Sequence, residues 1–213
     1  MKYKGIIFDL DGVICHTDQY HYQAWKKLSD KLGVYFDEEI NNLLRGVSRM
    51  ESLDIILKRY EGTPLSLEEK TTYVNEKNEL YLQLLQHLTP KDLSEEVKRT
   101  LDKLRERNIK QAIGSSSKNA VFILTRLGLS EFFDAISDGN NITNSKPNPE
   151  VFLKAAEFLG LKPEECLVVE DAVVGVQAAT RGNMDCAAIG DAAKANIATY
   201  SLTSFLDLLR IAL

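Results

Sequence analysis

Cysteine is scarce in this 213-residue sequence, and its three copies, Cys15, Cys166 and Cys186, are an odd number in unrelated contexts. No disulfide framework is expected, and a reducing cytoplasm is the expected compartment. Basic charge is not in excess: 26 Lys and Arg against 31 Asp and Glu leave a net charge of −5. That excludes the basic surface that nucleic acid or an anionic membrane would require. No apolar run approaches the roughly 20 residues of a membrane span. Met1-Lys2-Tyr3-Lys4 leads directly into an apolar run, so no signal peptide is expected. Internal repeats and low-complexity segments are also missing. What remains is 44% hydrophobic and 27% charged residues, the make-up of a globular protein of one or two domains with a sizeable core.

The stretch Gly5-Ile6-Ile7-Phe8-Asp9-Leu10-Asp11-Gly12 organises the rest. Its apolar run suits a strand covered on both faces, as in a parallel sheet between helices. It ends in two carboxylates two residues apart, which in an extended chain face the same way. Such a pair can hold a proton or a cation, Mg2+ being the usual choice for an all-oxygen site. A carboxylate can also attack phosphorus. Read alone, the tetrapeptide Asp9 to Gly12 is equally a polar turn after a strand.

From Asp18 to about Leu88 the pattern is helical, with no convincing strand. Asp18 is expected to cap a helix running to Leu32, with Tyr22, Trp25, Leu28 and Leu32 at helical spacing. Further helices are expected over Asp37–Leu44, from Ser48 through Tyr60, and over Ser66–Leu88. After Thr89-Pro90-Lys91 strands and helices alternate. Strands are expected at Lys110–Gly114, Ala135–Ser137, Leu167–Glu170 and Cys186–Ile189, and helices at Ser94–Arg107, Lys118–Leu127, Pro149–Leu159, Gly175–Thr180 and Thr203–Ile211. The expected fold is therefore α/β: a doubly wound parallel sheet with a small α-helical cap domain inserted after its first strand. The expected core is 1–15 with 91–213, and the expected cap is 16–90 with its two connectors, a geometry suited to hinge motion.

Three more strand ends should meet Asp9 at one rim. Ser115-Ser116-Ser117-Lys118-Asn119 offers hydroxyls and backbone N–H groups for a phosphate; the bland alternative is a capping turn on Ser116 or Ser117. Lys146 precedes a helix starting near Pro149, and is either a phosphate counter-charge or a solvated loop lysine. Glu170 and Asp171 end a second apolar strand. Two acidic strand ends in one parallel sheet point to a cation between them.

In that order, Asp9-x-Asp11, Ser115, Lys146 and Glu170-Asp171 resemble the haloacid dehalogenase superfamily of aspartate-nucleophile phosphotransferases over essentially the whole chain. Thr17, His21, Trp25, Gly46-Val47-Ser48-Arg49, Ser52 and Lys77-Asn78, with Ser117, Lys118 and Asn119, resemble the substrate-facing residues of its sugar-phosphate mutases. The resemblance implies interconversion of β-glucose 1-phosphate and glucose 6-phosphate through a bisphosphate, with a sugar-phosphate phosphatase as the alternative. It implies Asp9 as nucleophile, Asp11 as general acid and base, and Ser115 and Lys146 on the transferring phosphoryl group. It also implies Mg2+ held by Asp9, the carbonyl of Asp11, Asp171 and Glu170, and Arg49 gripping the distal phosphate. Small sugar phosphates are the expected partners, and the chain is expected to be a monomer.

Overall fold

The computed structural model describes residues 2–212, so the outermost residues of the expected core, 1 and 213, lie outside the described residues. The chain opens with β1 (Gly5–Phe8) and then leaves the sheet for four helices: α1 (Asp18–Lys31), α2 (Glu38–Asn42), α3 (Arg49–Leu57) and α4 (Leu67–Leu85). It returns through α5 (Glu95–Glu106), β2 (Lys110–Gly114), α6 (Ala120–Arg126), β3 (Ala135–Ser137), α7 (Glu150–Leu159) and β4 (Cys166–Glu170). The remaining elements are α8 (Val173–Arg181), β5 (Asp185–Ala188), α9 (Gly190–Lys194), β6 (Tyr200–Ser201) and α10 (Leu208–Ile211). Among the described residues, no helix is long and apolar enough to cross a membrane.

The strands form one parallel sheet in the order β3-β2-β1-β4-β5-β6, the expected doubly wound arrangement. Alternate residues of β1 feed two cores. Ile6 and Phe8 pack with Val97, Leu101, Ile123 and Leu208 on one face, while Ile7 packs with Val151, Phe152, Val176 and Ala179 on the other. Both faces are covered, which is why the strand has no polar position until its end. Phe8 lies opposite Ile113 on one side and Val169 on the other. That register puts Asp9 level with the ends of β2 and β4, and so beside Ser115 and Glu170 on one rim.

The inserted helices bury a third, separate cluster of Trp25, Leu28, Phe36, Ile40, Leu53, Ile56 and Val74. Their starts are set locally. Ser48 and Ser66 each accept the N–H of the residue three further on, and Glu51 and Glu69 return the bond, completing two capping boxes. Asp18 does not cap α1: Thr17 occupies the cap position, and the Asp18 carboxylate is spent on Arg45.

Other departures are small and have local causes. The helix expected from Lys118 starts at Ala120, because Ser115 Oγ accepts the N–H of Ser117 and Ser117 Oγ that of Asn119, holding the serine run in a turn. The helix expected over Thr203–Ile211 begins as a 3-10 turn at Phe205–Asp207, where Asp207 accepts the N–H groups of Thr203 and Ser204. Strand β6 and helix α9 are additions to the expected elements. At two and five residues they are too short to carry a periodicity.

Leu53 is wholly buried at the centre of the third cluster. Leu53→Ala should cost about 2–5 kcal/mol in urea unfolding. A loss under about 1 kcal/mol would mean that this cluster adds little to the stability of the chain.

Candidate active site

The rim of the sheet and the inner face of the inserted helices enclose a cavity of about 480 Å3. At its floor the ammonium of Lys146, 1% exposed, donates to Asp9 Oδ1 and to Glu170 Oε1, each at 2.5 Å. The second oxygen of Glu170 accepts the N–H of Ala172 at 2.8 Å. Asp171 lies beside them without a lysine, 3.7 Å from a guanidinium nitrogen of Arg45. Two glycines make room for these acids. A Cβ on Gly12, whose φ is +85°, would stand 2.1 Å from Asp171 Oδ2, and one on Gly175 would stand 2.0 Å from Glu170 Cδ.

Burial pushes the Asp9 carboxyl up to about 7 despite the nearby Lys146 ammonium. Burial, together with Glu170 and Asp9, pushes Asp171 up to about 8. Burial alone would lower Lys146, but the carboxylates of Asp9 and Glu170 more than reverse it and hold the ammonium above its ordinary value. Fully ionised, the three carboxylates would outnumber the single Lys146 ammonium, and the raised values follow from burial together with that shortage of counter-charge. Asp9, Glu170 and Asp171 each present an oxygen, all within 4.8 Å of one another. An all-carboxylate donor set with surplus charge fits a hard divalent cation. The Asp11 side chain stands outside this cluster. It accepts a hydrogen bond from Thr17, whose own oxygen accepts from Tyr81 at 3.0 Å, and burial pushes its carboxyl up to about 6.

The roof of the cavity is cationic. Lys77, 3% exposed, sits 4.7 Å from the ring centre of Trp25 and 4.5 Å from that of Tyr81, with its nitrogen 3.0 Å from Nδ1 of His21. The His21 ring lies 4.1 Å from that of Tyr81. Burial and then the charge of Arg49 hold Lys77 well below its ordinary value, and burial, Lys77 and Arg49 do the same to His21. Among the described residues, no carboxylate lies within 4.0 Å of the half-buried Arg49. Cations that depress one another in a closed space form a station for an anion.

Of the residues singled out from the sequence, Asp9, Asp11, Ser115, Glu170 and Asp171 line the floor of the cavity. His21, Trp25, Gly46, Val47, Arg49, Ser52, Lys77, Ser117, Lys118 and Asn119 line its roof and walls. Lys146 lies beneath the floor, and Thr17, fully buried, lies behind Asp11 rather than in the wall. The serine turn is less open than expected. The N–H groups of Ser115, Ser117 and Asn119 are spent internally, and among the described residues those of Ser116 and Lys118 have no protein acceptor.

Arg45, Tyr81 and Asn41 also line the cavity and were not singled out. Arg45 stands one residue before the Gly46-Val47-Ser48-Arg49 run, and Tyr81 follows Lys77 by one helical turn. Those spacings were the available signals. Polar contacts hold roof to floor: Ser116 Oγ donates to the Gly46 carbonyl at 3.0 Å, Asn119 Nδ2 to Asn78 Oδ1 at 2.9 Å, and Ser145 to Glu51.

Comparison with known proteins agrees with this geometry. A model for haloacid dehalogenase-like hydrolases matches residues 3–183. A β-phosphoglucomutase of Bacillus subtilis is 40% identical over 189 residues, covering 88% of this chain and 83% of its own. A crystal structure of β-phosphoglucomutase from Clostridium difficile superposes with a TM-score of 0.91 at 39% identity, over 97% of this chain and 93% of that one. A fructose-1-phosphate phosphatase of Escherichia coli is 33% identical over 187 residues, 86% of this chain and 95% of its own. The match runs through both the sheet and the inserted helices, and the chain belongs to the haloacid dehalogenase-like hydrolase family.

Proposed function

We propose that the chain is a β-phosphoglucomutase, interconverting β-D-glucose 1-phosphate and D-glucose 6-phosphate through an aspartyl-phosphate and a glucose 1,6-bisphosphate intermediate. One observation carries the reading: a single cavity with two anion stations. Asp9 and Ser115 line the floor with the Lys146 ammonium beneath them, and the roof holds Arg49, Lys77 and His21. A sugar bisphosphate needs both, whereas hydrolysis of a monophosphate needs only the floor. The 40% identity to the Bacillus subtilis enzyme supports the same reading.

In this reading 16–90 acts as a cap over a core of 1–15 and 91–213. Asp9 attacks phosphorus and carries the phosphoryl group as an acyl phosphate. Lys146 and Ser115 offset charge on the transferring oxygens. Asp9, the Asp11 carbonyl and Asp171 would hold Mg2+, which would supply further charge neutralisation there. Glu170, with both oxygens already bonded to Lys146 and Ala172, acts from behind them. Asp11 removes the proton of the accepting sugar hydroxyl and returns it to the leaving one. A carboxyl near 6 suits a group that must do both. Thr17 aims it. Arg49 and Lys77 hold the phosphate that is not reacting, and Trp25, Gly46, Val47, Ser52, Ser117, Lys118 and Asn119 form the sugar's walls. The roof-to-floor contacts exclude water, which otherwise takes the place of the sugar hydroxyl.

A sugar-phosphate phosphatase is the competing reading, and the relationship to the Escherichia coli enzyme favours it. Offering β-glucose 1-phosphate with a trace of glucose 1,6-bisphosphate separates the two. Glucose 6-phosphate is the expected product, and release of free phosphate as the main product would establish the phosphatase instead. Asp9→Asn should abolish turnover together with any acid-stable phosphoryl label on the protein, and full residual activity would remove the nucleophile assignment. Arg49→Ala should lower mutase turnover at least about 100-fold, in line with loss of a charge-assisted phosphate grip of roughly 3 kcal/mol. It should lower hydrolysis of a small phosphate ester far less. Equal losses in the two assays would show that Arg49 does not serve the distal phosphate.

A further inference from the structure

Three carboxylates crowd the floor, and Lys146 serves only two of them. The third, Asp171, lies close against Gly12, where a Cβ would stand 2.1 Å from its Oδ2. Among the described residues, its one cationic neighbour within 4.0 Å is Arg45. Arg45 belongs to the inserted helices rather than to the sheet. Its guanidinium donates to Asp18 Oδ2 at 2.7 Å within the insertion, then crosses the cleft to lie 3.4 Å from Asp191 Oδ2 and 3.7 Å from Asp171 Oδ2. Among the described residues, it is the one cation of the insertion that reaches a carboxylate of the core. Its Nε is buried and has no hydrogen-bond partner, so the side chain is held across the cleft by charge rather than by a complete set of bonds.

We propose that Arg45 is a cap-borne counter-ion of the metal site, so that closure of the empty cap and binding of Mg2+ oppose each other until a phosphate arrives. The proposal rests on the reading of Asp171 as a Mg2+ ligand. A divalent cation on Asp171 and a guanidinium beside the same carboxylate would repel, and in a cavity covered by the insertion that repulsion is poorly screened. Arg45 retreats with the cap, keeping Asp18 as its partner. The coupling is reciprocal: the factor by which a closed cap weakens Mg2+ binding equals the factor by which Mg2+ opens the cap. A sugar phosphate brings negative charge into the same cavity and removes the conflict. Metal first and sugar phosphate second is then the favoured order of loading, and Arg45 is a positioning residue for that order rather than a catalytic one.

The test is calorimetric titration of MgCl2 alone into the metal-free full-length protein, with no phosphate present. Arg45→Gln should bind Mg2+ about five-fold more tightly, at the lower end of ordinary coupling between sites. Asp191→Asn, at a side chain 64% exposed and therefore safe for folding, should act in the opposite sense, since it frees Arg45 to lean on Asp171. Small-angle scattering should show the wild-type protein expanding on addition of MgCl2 and the Arg45→Gln protein unchanged. Equal or weaker Mg2+ binding in Arg45→Gln, or unchanged binding in Asp191→Asn, overturns the proposal while leaving the metal site standing. If the wild-type protein binds no Mg2+ and Asp171→Asn behaves identically, the metal reading falls and the proposal falls with it.

Discussion

The ammonium of Lys146 between Asp9 and Glu170 is the interaction on which the rest depends. All three groups are at least nine-tenths buried. Burying such charges is repaid only if each finds its partner, and removing one member of a buried ion pair costs about 3–5 kcal/mol. The triad therefore joins the ends of β1 and β4 to the loop before α7. It also sets the electrostatics of the rim, because it keeps the Asp9 carboxylate dry and oriented beside a fixed positive charge. Everything that approaches Asp9 must enter a cavity whose floor is already polarised.

The cap answers that floor with charge of the opposite kind. Among the described residues, Lys77, His21 and Arg49 have no carboxylate within 4.0 Å; burial and neighbouring cations hold Lys77 and His21 well below their ordinary values, and burial lowers Arg49. Such an arrangement is unfavourable in the empty protein. It is tolerated because the aromatic faces of Trp25 and Tyr81 and the separate apolar cluster of the insertion hold it in place. The two halves of the cavity thus store complementary electrostatic frustration, the floor short of positive charge and the roof short of negative.

Much of this was legible in the residues. Ile6, Ile7 and Phe8 suited a two-sided strand, and Gly12 suited a turn away from it. Ser48, Ser66 and Ser94 fixed the helix starts because a cap depends on four neighbouring residues and nothing distant. The residues that escaped notice act through long-range contacts. Arg45 reads as an ordinary surface charge until Asp171 and Asp191, over 120 residues away, are brought to it. Tyr81 has no evident polar role until its hydroxyl meets Thr17. The serine turn was only partly legible for the converse reason. Its hydroxyls could be counted in the sequence, but their use on the turn's own N–H groups could not.

Trp25 is the only tryptophan in the chain, and its ring lies against the buried ammonium of Lys77. An indole so placed feels the electric field of the anion station directly. A phosphate arriving there would change the field across the ring, and the emission of the lone tryptophan is expected to change with it. The molecule therefore carries an intrinsic optical gauge of its own occupancy. Filling of the cap can be followed in unlabelled protein, during turnover, at a position that takes no part in bond making.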